Sequence, residues 1–581
     1  MSKLTVVGKE LYMNDEPIQL ISGAIHYFRI VPEYWEDRLR KLKACGFNCV
    51  ETYIPWNLHE PKEGEFNFSG IADVEEFIRI AEKVGLYVIA RPSPYICAEW
   101  EFGGLPSWLL ADSNMRVRSH YEPYLEKVDN YYDVLLERFK PLLQTNGGPI
   151  IAMQIENEYG SYGNDKRYLT YIKEAMVKRE IDVLLFTSDG PTDLMLQGGS
   201  VDNVLATVNF GSRPKESFAK LQEHFPNTPN IVMEYWNGWF DHWGEKHHQR
   251  DPQDAADTFA EMLQSGASVN FYMFHGGTNF GFYNGANFDE NYQPTITSYD
   301  YDCPISETGD LTPKFHAVRE AVAKHKDLGE LVLPEPIPKK KYGTVKMKES
   351  NNLFEALNQI SNLVKNTHPV SMEKLGQDYG FVLYRTFLKG PLDEAPLTIQ
   401  DVRDRALVYV NQEFKGVIDR WENNKLMIEV PEEGIQLDLL VENMGRINYG
   451  PLLNDPKGIT EGVRFERQFL FDWEIYSLPM DNLENLTFNE NQLQPEENPI
   501  FYMGTFEVKE IGDTFVELAG WKKGIVLVNG FNIGRYWEIG PQKTLYIPGP
   551  LLKKGINEIV VFDMHGTKNP EIELIDTHKL G

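Results

Sequence analysis

The first 330 residues alternate short apolar segments with longer segments of helical periodicity, and this alternation constrains the fold more than any other feature. We predict strands at residues 21–29, 47–53, 86–91, 150–155, 183–187, 204–208, 231–234 and 269–274. Helical spacing predicts helices over residues 34–45, 74–84, 121–143, 166–178, 215–224 and 252–266. Eight buried strands alternating with helices over this length are what a (β/α)8 TIM barrel requires.

A doubly wound α/β sheet is the alternative fold for the same alternation. Such a sheet usually carries a glycine-rich phosphate-binding loop after its first strand, and none follows residues 21–29. Aromatic, acidic and amide residues instead cluster after several strands, where a barrel assembles its site. The sequence therefore favours the barrel. The preceding segment, residues 11–20, predicts a β-hairpin that plugs the opposite end of the barrel.

Past Glu330 the chain changes from helical periodicity to alternating periodicity with frequent Gly, Asn and Pro turns. The segments 408–416 and 526–534 share one pattern, a strand, an Asn-centred turn and a second strand, which indicates two related domains. We predict two β-sandwich domains of the jelly-roll, galactose-binding-like type, with one large sandwich as the alternative. The predicted domains are a catalytic barrel at 1–330, a Pro/Lys-rich linker at 331–345, and β-sandwiches at 346–490 and 491–581.

Two of the predicted strands end in acidic side chains. The strand at 150–155 is followed by Glu156, Asn157 and Glu158, and the strand at 231–234 ends at Glu234. Carboxylates at the mouth of a buried strand cost solvation energy that a structural role rarely repays. Two carboxylates about 5–5.5 Å apart can hydrolyse a glycoside with retention of configuration. We assign Glu158 as the acid/base and Glu234 as the nucleophile.

Other polar residues in this region have plainer interpretations. Strand alternation points Glu156 away from Asn157, so we expect it to pair with a buried arginine, Arg29 or Arg91. Three histidines near Glu245 lack the helical spacing of a zinc motif, and we expect solvent-exposed loop side chains without a metal: His242, His247 and His248. Two carboxylates suffice for the chemistry, so no cofactor is implied.

The formal net charge of −29 at pH 7 disfavours nucleic acid and anionic membrane surfaces as partners and favours a neutral or cationic ligand. Four cysteines are too few and too scattered for a disulfide framework. The chain lacks the apolar run of a signal peptide and any segment of about 18 apolar residues that would span a bilayer. We expect a cytoplasmic location, and the sequence leaves open whether the β domains form a homodimer.

Five motifs in order resemble glycoside hydrolase family 35, and the resemblance spans nearly the whole chain. They are 91–99 (RPSPYICAE), 155–160 (IENEYG), 234–239 (EYWNGW), 276–280 (GGTNF) and 297–302 (TSYDYD). The family contains the lysosomal β-galactosidase, and the short length and few cysteines here resemble its bacterial members. The resemblance implies a retaining exo-β-galactosidase that removes terminal β-D-galactose, with the acid/base at Glu158 and the nucleophile at Glu234.

The resemblance also implies which residues contact the sugar. The galactose contacts carry over to Tyr53, Cys97 and Ala98 through their backbone, Glu99, Asn157, Tyr272 and Tyr301, with Trp239 as a wall. The leaving-group sugar is expected outside this pocket, against Trp236, Trp243 or Tyr449, and we expect these residues to favour β-1,3 linkages. The alternatives are a barrel glycosidase of another sugar specificity and an inactive carbohydrate-binding homologue.

Overall fold

The computed structural model describes residues 3–92, 94–422, 424–490 and 497–581. Eight parallel strands close into a barrel in which each strand pairs with its neighbour in sequence and the eighth pairs with the first. The barrel strands are Ile21–Ile25, Cys49–Tyr53, Tyr87–Arg91, Ile150–Gln154, Leu184–Asp189, Leu205–Phe210, Ile231–Trp236 and Ser268–His275. The predicted TIM barrel is therefore confirmed, and we number these strands one to eight below.

Helices surround the barrel. They are Trp35–Ala44, Trp56–His59, Val74–Val84, Glu122–Phe139, Tyr159–Tyr162, Lys166–Lys178, Asp193–Gly199, Pro214–His224, Pro252–Gln264 and Pro313–Ala323. Local signals fix some of their ends: Asp73 caps the helix Val74–Val84, and Gly85 ends it with a φ of 83°. Among the described residues, no helix is long and apolar enough to cross a membrane.

The amino-terminal segment covers the end of the barrel opposite the site. Its strands Leu4–Val7, Glu10–Met13 and Glu16–Ile18 form a three-stranded antiparallel sheet, one strand more than the predicted hairpin. Leu4, Leu11 and Met13 belong to one buried apolar cluster with residues near the beginnings of the barrel strands, among them Ile151 and Ile231. This packing closes the amino-terminal end of the barrel.

The first β region consists of two main sheets around a common core. The six-stranded sheet contains Leu363–Asn366, Trp473–Leu478, Phe381–Leu388, Ile435–Glu442, Arg405–Val410 and Glu413–Asp419. The four-stranded sheet contains Leu426–Val430, Leu392–Ile399, Val463–Phe465 and Gln468–Phe469, and a small pair joins Val402–Arg403 to Gly458–Ile459. Side chains from both main sheets form one buried cluster that includes Val382, Leu397, Val408 and Ile428.

The second β region corrects one part of the predicted domain division. Its sheet runs in the order Phe531–Trp537, Lys523–Val528, Gly555–Asp563, Ile500–Val508, Gly343–Asn352, Glu571–Ile575, Thr514–Glu517 and Thr544–Ile547, with Asn489–Glu490 at the side of Gly343–Asn352. The strand Gly343–Asn352 thus lies inside the last sheet, and a boundary between 345 and 346 would cut it. The helix Leu353–Ile360 then leads into the first β region. The boundary predicted at 490 adjoins residues 491–496, outside the described residues.

The two hairpins with matching sequence patterns also match in structure. Asn411 and Gln412 have φ of 50° and 66°, and Asn529 and Gly530 have φ of 49° and 82°. Positive φ at both central residues is the backbone that a two-residue hairpin turn requires. In both hairpins the register shifts at the equivalent place, after Val408 and after Val526. The predicted internal repeat is confirmed at the level of this hairpin.

Buried ion pairs and hydrogen bonds join the β regions to the barrel. Arg446 lies within ion-pair distance, 2.5 Å in each case, of Glu101 from the barrel and Glu373 from the first β region. Arg535 of the second β region donates to Asn284 at 2.8 Å. Separating the domains would break these buried pairs and leave uncompensated charges, which is energetically costly. The contacts therefore hold the β regions against the barrel.

Candidate active site

A cavity of about 260 Å³ opens at the carboxyl ends of the barrel strands. Glu158, which follows strand four, and Glu234, in strand seven, both line it. The other lining residues are Ile96, Cys97, Ala98, Glu99, Trp236, Trp239, Phe240, Tyr272, Asn287, Tyr301 and Tyr449. The two carboxylates that the sequence singled out therefore share one cavity.

Three side chains hold Glu234. Its Oε1 atom lies 2.9 Å from Arg91 Nη1 and accepts the Tyr53 hydroxyl at 2.5 Å. Within the described part of the chain, its Oε2 atom accepts only the Trp236 indole N–H, at 3.2 Å. A buried carboxylate requires a compensating partner, and Arg91 supplies the positive charge. The arrangement fixes one oxygen of Glu234 and leaves the other with a single weak contact.

Glu158 has a different environment. Its backbone has a φ of 46° and its N–H donates to the Ser188 carbonyl at 3.1 Å, which fixes the turn after strand four. Its Oε1 accepts from the Asn209 amide at 3.1 Å. Burial, together with the nearby charge of Glu234, raises the pKa of Glu158 to about 8. A carboxyl group with this pKa is largely protonated at neutral pH and can act as an acid.

A left-handed turn forms another wall of the cavity. Cys97, Ala98 and Glu99 have φ of 60°, 57° and 48°, a backbone conformation that non-glycine residues rarely adopt. Arg29 holds the turn by donating to the Ala98 carbonyl at 2.5 Å. Among the described residues, no protein acceptor receives the backbone N–H of Ala98 or Glu99. Successive N–H groups in such a turn form a concavity that binds oxygen atoms.

Glu99 is held by Tyr299, a residue that the sequence did not single out. The Tyr299 hydroxyl donates to Glu99 Oε2, and the Arg29 guanidinium lies 3.7 Å from the centre of the Tyr299 ring. Burial raises the pKa of Glu99 to about 7, although the Tyr299 hydrogen bond and Arg29 act in the opposite direction. Tyr272 and Tyr301 complete this wall, with ring centres 5.5 Å apart.

Tyr53 and Asn157, two predicted sugar contacts, lie directly behind the cavity wall rather than in it. Each is 1% exposed. The Tyr53 hydroxyl is 2.9 Å from Asn157 Oδ1, which also accepts from Arg91 at 2.8 Å. These bonds connect the end of strand four to the nucleophile candidate Glu234. Their direct contact with a sugar stays a prediction.

The open end of the cavity carries Trp236 and Tyr449, which were predicted for the leaving group, and Trp239, which was predicted as a wall of the galactose pocket. Trp239 is 39% exposed, and Trp236 and Tyr449 are partly buried. Tyr449 comes from the first β region, where the neighbouring Asn448 N–H donates to the Ala286 carbonyl at 2.8 Å. Trp243 was wrongly included in this group. Trp243 does not line the cavity, and its ring centre lies 6.4 Å from that of Trp537.

The predicted partner of Glu156 was also wrong. Glu156 pairs with Arg118 at 2.7 Å. The two predicted partners have other contacts: Arg91 pairs with Glu234, and Arg29 donates to the Ala98 carbonyl in the left-handed turn. Arg118 lies in a loop between strands three and four with no periodic pattern that could have indicated it. Its guanidinium also donates to the Asn157 carbonyl and stacks 3.6 Å from the Tyr95 ring centre.

The histidine cluster differs from the expected exposed loop. His242 is 7% exposed and pairs with Glu245 at 3.0 Å. Asp241 is 5% exposed and lies 2.7 Å from His247 and 2.8 Å from His248. Each of these histidines has a carboxylate partner, which explains why the loop can be packed rather than solvated.

Comparisons with known proteins identify the family of the chain. The family model for glycosyl hydrolases family 35 matches residues 10–325. The models for the β-galactosidase first all-beta domain and the β-galactosidase galactose-binding domain match residues 369–479 and 499–557. These matches cover the barrel and parts of both β regions.

Three relatives align over most of the chain. The beta-galactosidase of Xanthomonas manihotis is 44% identical over 551 residues, covering 93% of this chain and 90% of that protein. The beta-galactosidase of Bos taurus is 42% identical over 579 residues, covering 94% and 88%. Beta-galactosidase-1-like protein 2 of Homo sapiens is 41% identical over 592 residues, covering 100% and 92%. The chain therefore belongs to family 35 of the glycosyl hydrolases.

Proposed function

We propose that the protein is a retaining exo-β-galactosidase that removes terminal non-reducing β-D-galactose from oligosaccharides or glycans. The observation that carries the proposal is the pair Glu158 and Glu234 in one cavity, each in a different electrostatic environment. Arg91 compensates the charge of Glu234, whereas burial favours the protonated form of Glu158. The relatives named beta-galactosidase support galactose as the sugar.

The geometry suggests a role for each oxygen of the two carboxylates. Oε1 of Glu234 is engaged by Arg91 and Tyr53, so Oε2 is the freer atom and attacks the anomeric carbon of the sugar. Glu158 donates its proton to the departing glycosidic oxygen as that bond breaks. Glu158, now ionised, then takes a proton from water, whose oxygen attacks the same carbon and releases Glu234.

The cavity wall supports recognition of a single terminal sugar. Oε2 of Glu99 accepts from Tyr299, and Oε1, which accepts the Cys97 thiol at 3.9 Å, can also accept a sugar hydroxyl. The backbone N–H groups of Ala98 and Glu99 can donate to a hydroxyl oxygen on the same side. The aromatic faces of Tyr272 and Tyr301 can pack against the C–H face of the ring. A cavity of about 260 Å³ closed by these residues suits an exo mode of attack.

We further propose that Trp236 and Tyr449 contact the leaving-group sugar and favour β-1,3 linkages. Both line the partly exposed end of the cavity, where a leaving group must emerge. Substituting either by alanine should change the ranking of β-1,3, β-1,4 and β-1,6 galactosyl disaccharides. An unchanged ranking in both variants would contradict the assignment.

A bacterial type of enzyme, a cytoplasmic location and a homodimer stay predictions from the sequence.

Comparing the 4-nitrophenyl β-galactoside with the glucoside, fucoside and mannoside tests the proposed activity. We expect the galactoside to have the highest kcat/KM and Glu234→Gln to lower it by about a thousandfold or more, because this residue forms the covalent intermediate. Glu290→Gln, at an exposed position outside the cavity, is the matched control and should retain activity. A faster glucoside or mannoside would contradict the sugar specificity, and full activity of Glu234→Gln would contradict the site.

A further inference from the structure

Asn287 lines the cavity but was not among the residues that the sequence singled out. It lies in the first strand of a hairpin, Ala286–Phe288 and Tyr292–Pro294, that follows strand eight. Its side-chain oxygen lies 3.0 Å from Nε2 of His242. Among the described residues, no protein acceptor receives its amide N–H group. The amide oxygen of Asn287 is therefore held by His242, whereas its N–H group has no protein acceptor among the described residues.

The loop after strand seven contacts this hairpin at one cross-strand pair of residues. Asn287 and Gln293 are directly opposite each other in the hairpin. His242 contacts Asn287, and Glu245 accepts from the Gln293 amide at 3.2 Å. Glu245 also lies 3.0 Å from Nδ1 of His242. The His242–Glu245 pair thus contacts both members of the cross-strand pair and fixes the orientation of Asn287.

The first β region holds the other side of the hairpin. The Ala286 N–H donates to the Arg446 carbonyl at 3.1 Å, and the Asn448 N–H donates to the Ala286 carbonyl at 2.8 Å. Asn287 and Tyr449, the next residue on each chain segment, both line the cavity. The lining therefore combines a polar amide from the hairpin with an aromatic ring from the first β region.

Exposure separates the lining residues into two groups. Cys97, Glu99, Tyr272 and Tyr301 are between 3% and 8% exposed and form the closed end. Trp236, Trp239, Asn287 and Tyr449 are partly or largely exposed and form the open end. An exo-acting site buries the terminal sugar at the closed end, so the leaving group must occupy the open end.

We propose that the amide N–H of Asn287 binds the leaving-group sugar, and that His242 and Glu245 are positioning residues that orient this amide. The inference rests on the proposed function. Burial lowers the pKa of His242, but the contacts with Glu245 and Asn287 outweigh it and raise the pKa overall. A ring that carries a hydrogen on Nε2 donates to the Asn287 oxygen, and this leaves the amide N–H directed toward the cavity.

The test compares a β-1,3-linked galactosyl disaccharide with 4-nitrophenyl β-galactoside, whose leaving group lacks sugar hydroxyls. Asn287→Ala should lower the ratio of kcat/KM for the disaccharide to kcat/KM for the aryl galactoside by about three- to tenfold, the range for losing one hydrogen bond. Asn291→Ala, in the exposed turn of the same hairpin, is the matched control and should leave the ratio unchanged. Asn287→Leu, similar in volume, should repeat the effect of Asn287→Ala.

His242→Phe tests the positioning role, because it keeps a ring and removes the hydrogen bond. It should lower the same ratio, and adding it to Asn287→Ala should cause no further decrease, since both changes remove one interaction. Equal losses on both substrates, or no change in the ratio, would overturn the inference. Wild-type protein that hydrolyses neither galactoside would overturn the proposed function and this inference together. Activity on both substrates with an unmoved ratio overturns only the inference.

Discussion

The difference between Glu158 and Glu234 comes from their neighbours rather than from their own chemistry. Glu234 lies beside the positive charge of Arg91, whereas Glu158 has an amide donor, Asn209, and a negatively charged neighbour. In a buried site an opposite charge favours the ionised carboxylate and a like charge favours the protonated one. The surroundings of Glu158 therefore favour its protonated form, whereas Glu234 has a fixed positive charge beside it.

The raised pKa of Glu158 predicts the basic limb of the pH profile. The acid must be protonated in the first step, so kcat/KM should be constant below its pKa and fall as pH rises through about 8. The measurement is kcat/KM for 4-nitrophenyl β-galactoside between pH 5 and about 10. In Glu158→Gln, whose residual activity on the same 4-nitrophenyl substrate is measured over the same pH range, this limb should disappear. Persistence of the limb would assign it to another group.

Removing the acid/base side chain should also change which nucleophile completes the reaction. In Glu158→Ala, water loses its general base, so turnover of an activated galactoside should fall sharply. Azide needs no base, and it should restore turnover by attacking the anomeric carbon and displacing Glu234. The product should be the β-galactosyl azide, identified by NMR. Formation of the α-azide, or no rescue, would contradict the assigned roles.

The sequence predicted the two carboxylates that line the cavity but not the residues that hold them. Glu158 and Glu234 could be predicted because an acid after a buried apolar strand is costly and therefore informative. Arg118, Asn209 and Tyr299 could not, because each reaches its partner across the fold from a loop or another strand. No local spacing encodes such contacts.

Among the secondary-structure elements, the strong periodic patterns predicted the barrel strands and most of the long helices. The helices Val74–Val84 and Lys166–Lys178 were predicted with their observed bounds, since each has an aspartate cap and a clear apolar face. The helices Asp193–Gly199 and Pro313–Ala323 were missed. The first is short and ends in two glycines, and the second follows the eighth strand, beyond the last element of the predicted alternation.

Arg118 connects the loops after strands three and four, and its loss should destabilise both. Arg118→Met leaves Glu156 buried without its partner, which should cost about 3–5 kcal/mol and lower the melting temperature by several degrees. It should also lower kcat, because Arg118 donates to the Asn157 carbonyl next to Glu158. Calorimetry and kinetics measure the two effects. Arg116→Met, two residues away, is the control, and equal stability of both variants would contradict the role of the pair.

At the scale of the whole molecule, the first β region contributes to the cavity wall, and both β regions are attached to the barrel. Tyr449 enters the cavity lining from the first β region, and Arg446 and Arg535 attach the two regions to the barrel. The sequence predicted the change to β structure after Glu330 and the repeated hairpin. It did not predict that Gly343–Asn352 joins the last sheet, because strand pairing between segments so distant in sequence leaves no local pattern.

The pairing of Gly343–Asn352 within the last sheet predicts which β region a substitution in this strand destabilises. Val345 is 2% exposed and belongs to the core of the second β region, so Val345→Asp should destabilise that region. Limited proteolysis should then cut within residues 500–581 before it cuts within 369–479. Lys348→Asp, at a nearby exposed position of the same strand, should leave the digestion pattern unchanged. Early cleavage confined to 369–479 would contradict the sheet order.

The stereochemistry of the first product tests the central claim most directly, namely that Glu158 and Glu234 act on one sugar carbon as acid/base and nucleophile. Proton NMR of 4-nitrophenyl β-galactoside hydrolysis, recorded before the released sugar mutarotates, distinguishes the two anomers. Two displacements at the anomeric carbon predict that β-galactose appears first. Initial release of α-galactose would show a single displacement and would contradict the assignment of Glu234 as the nucleophile.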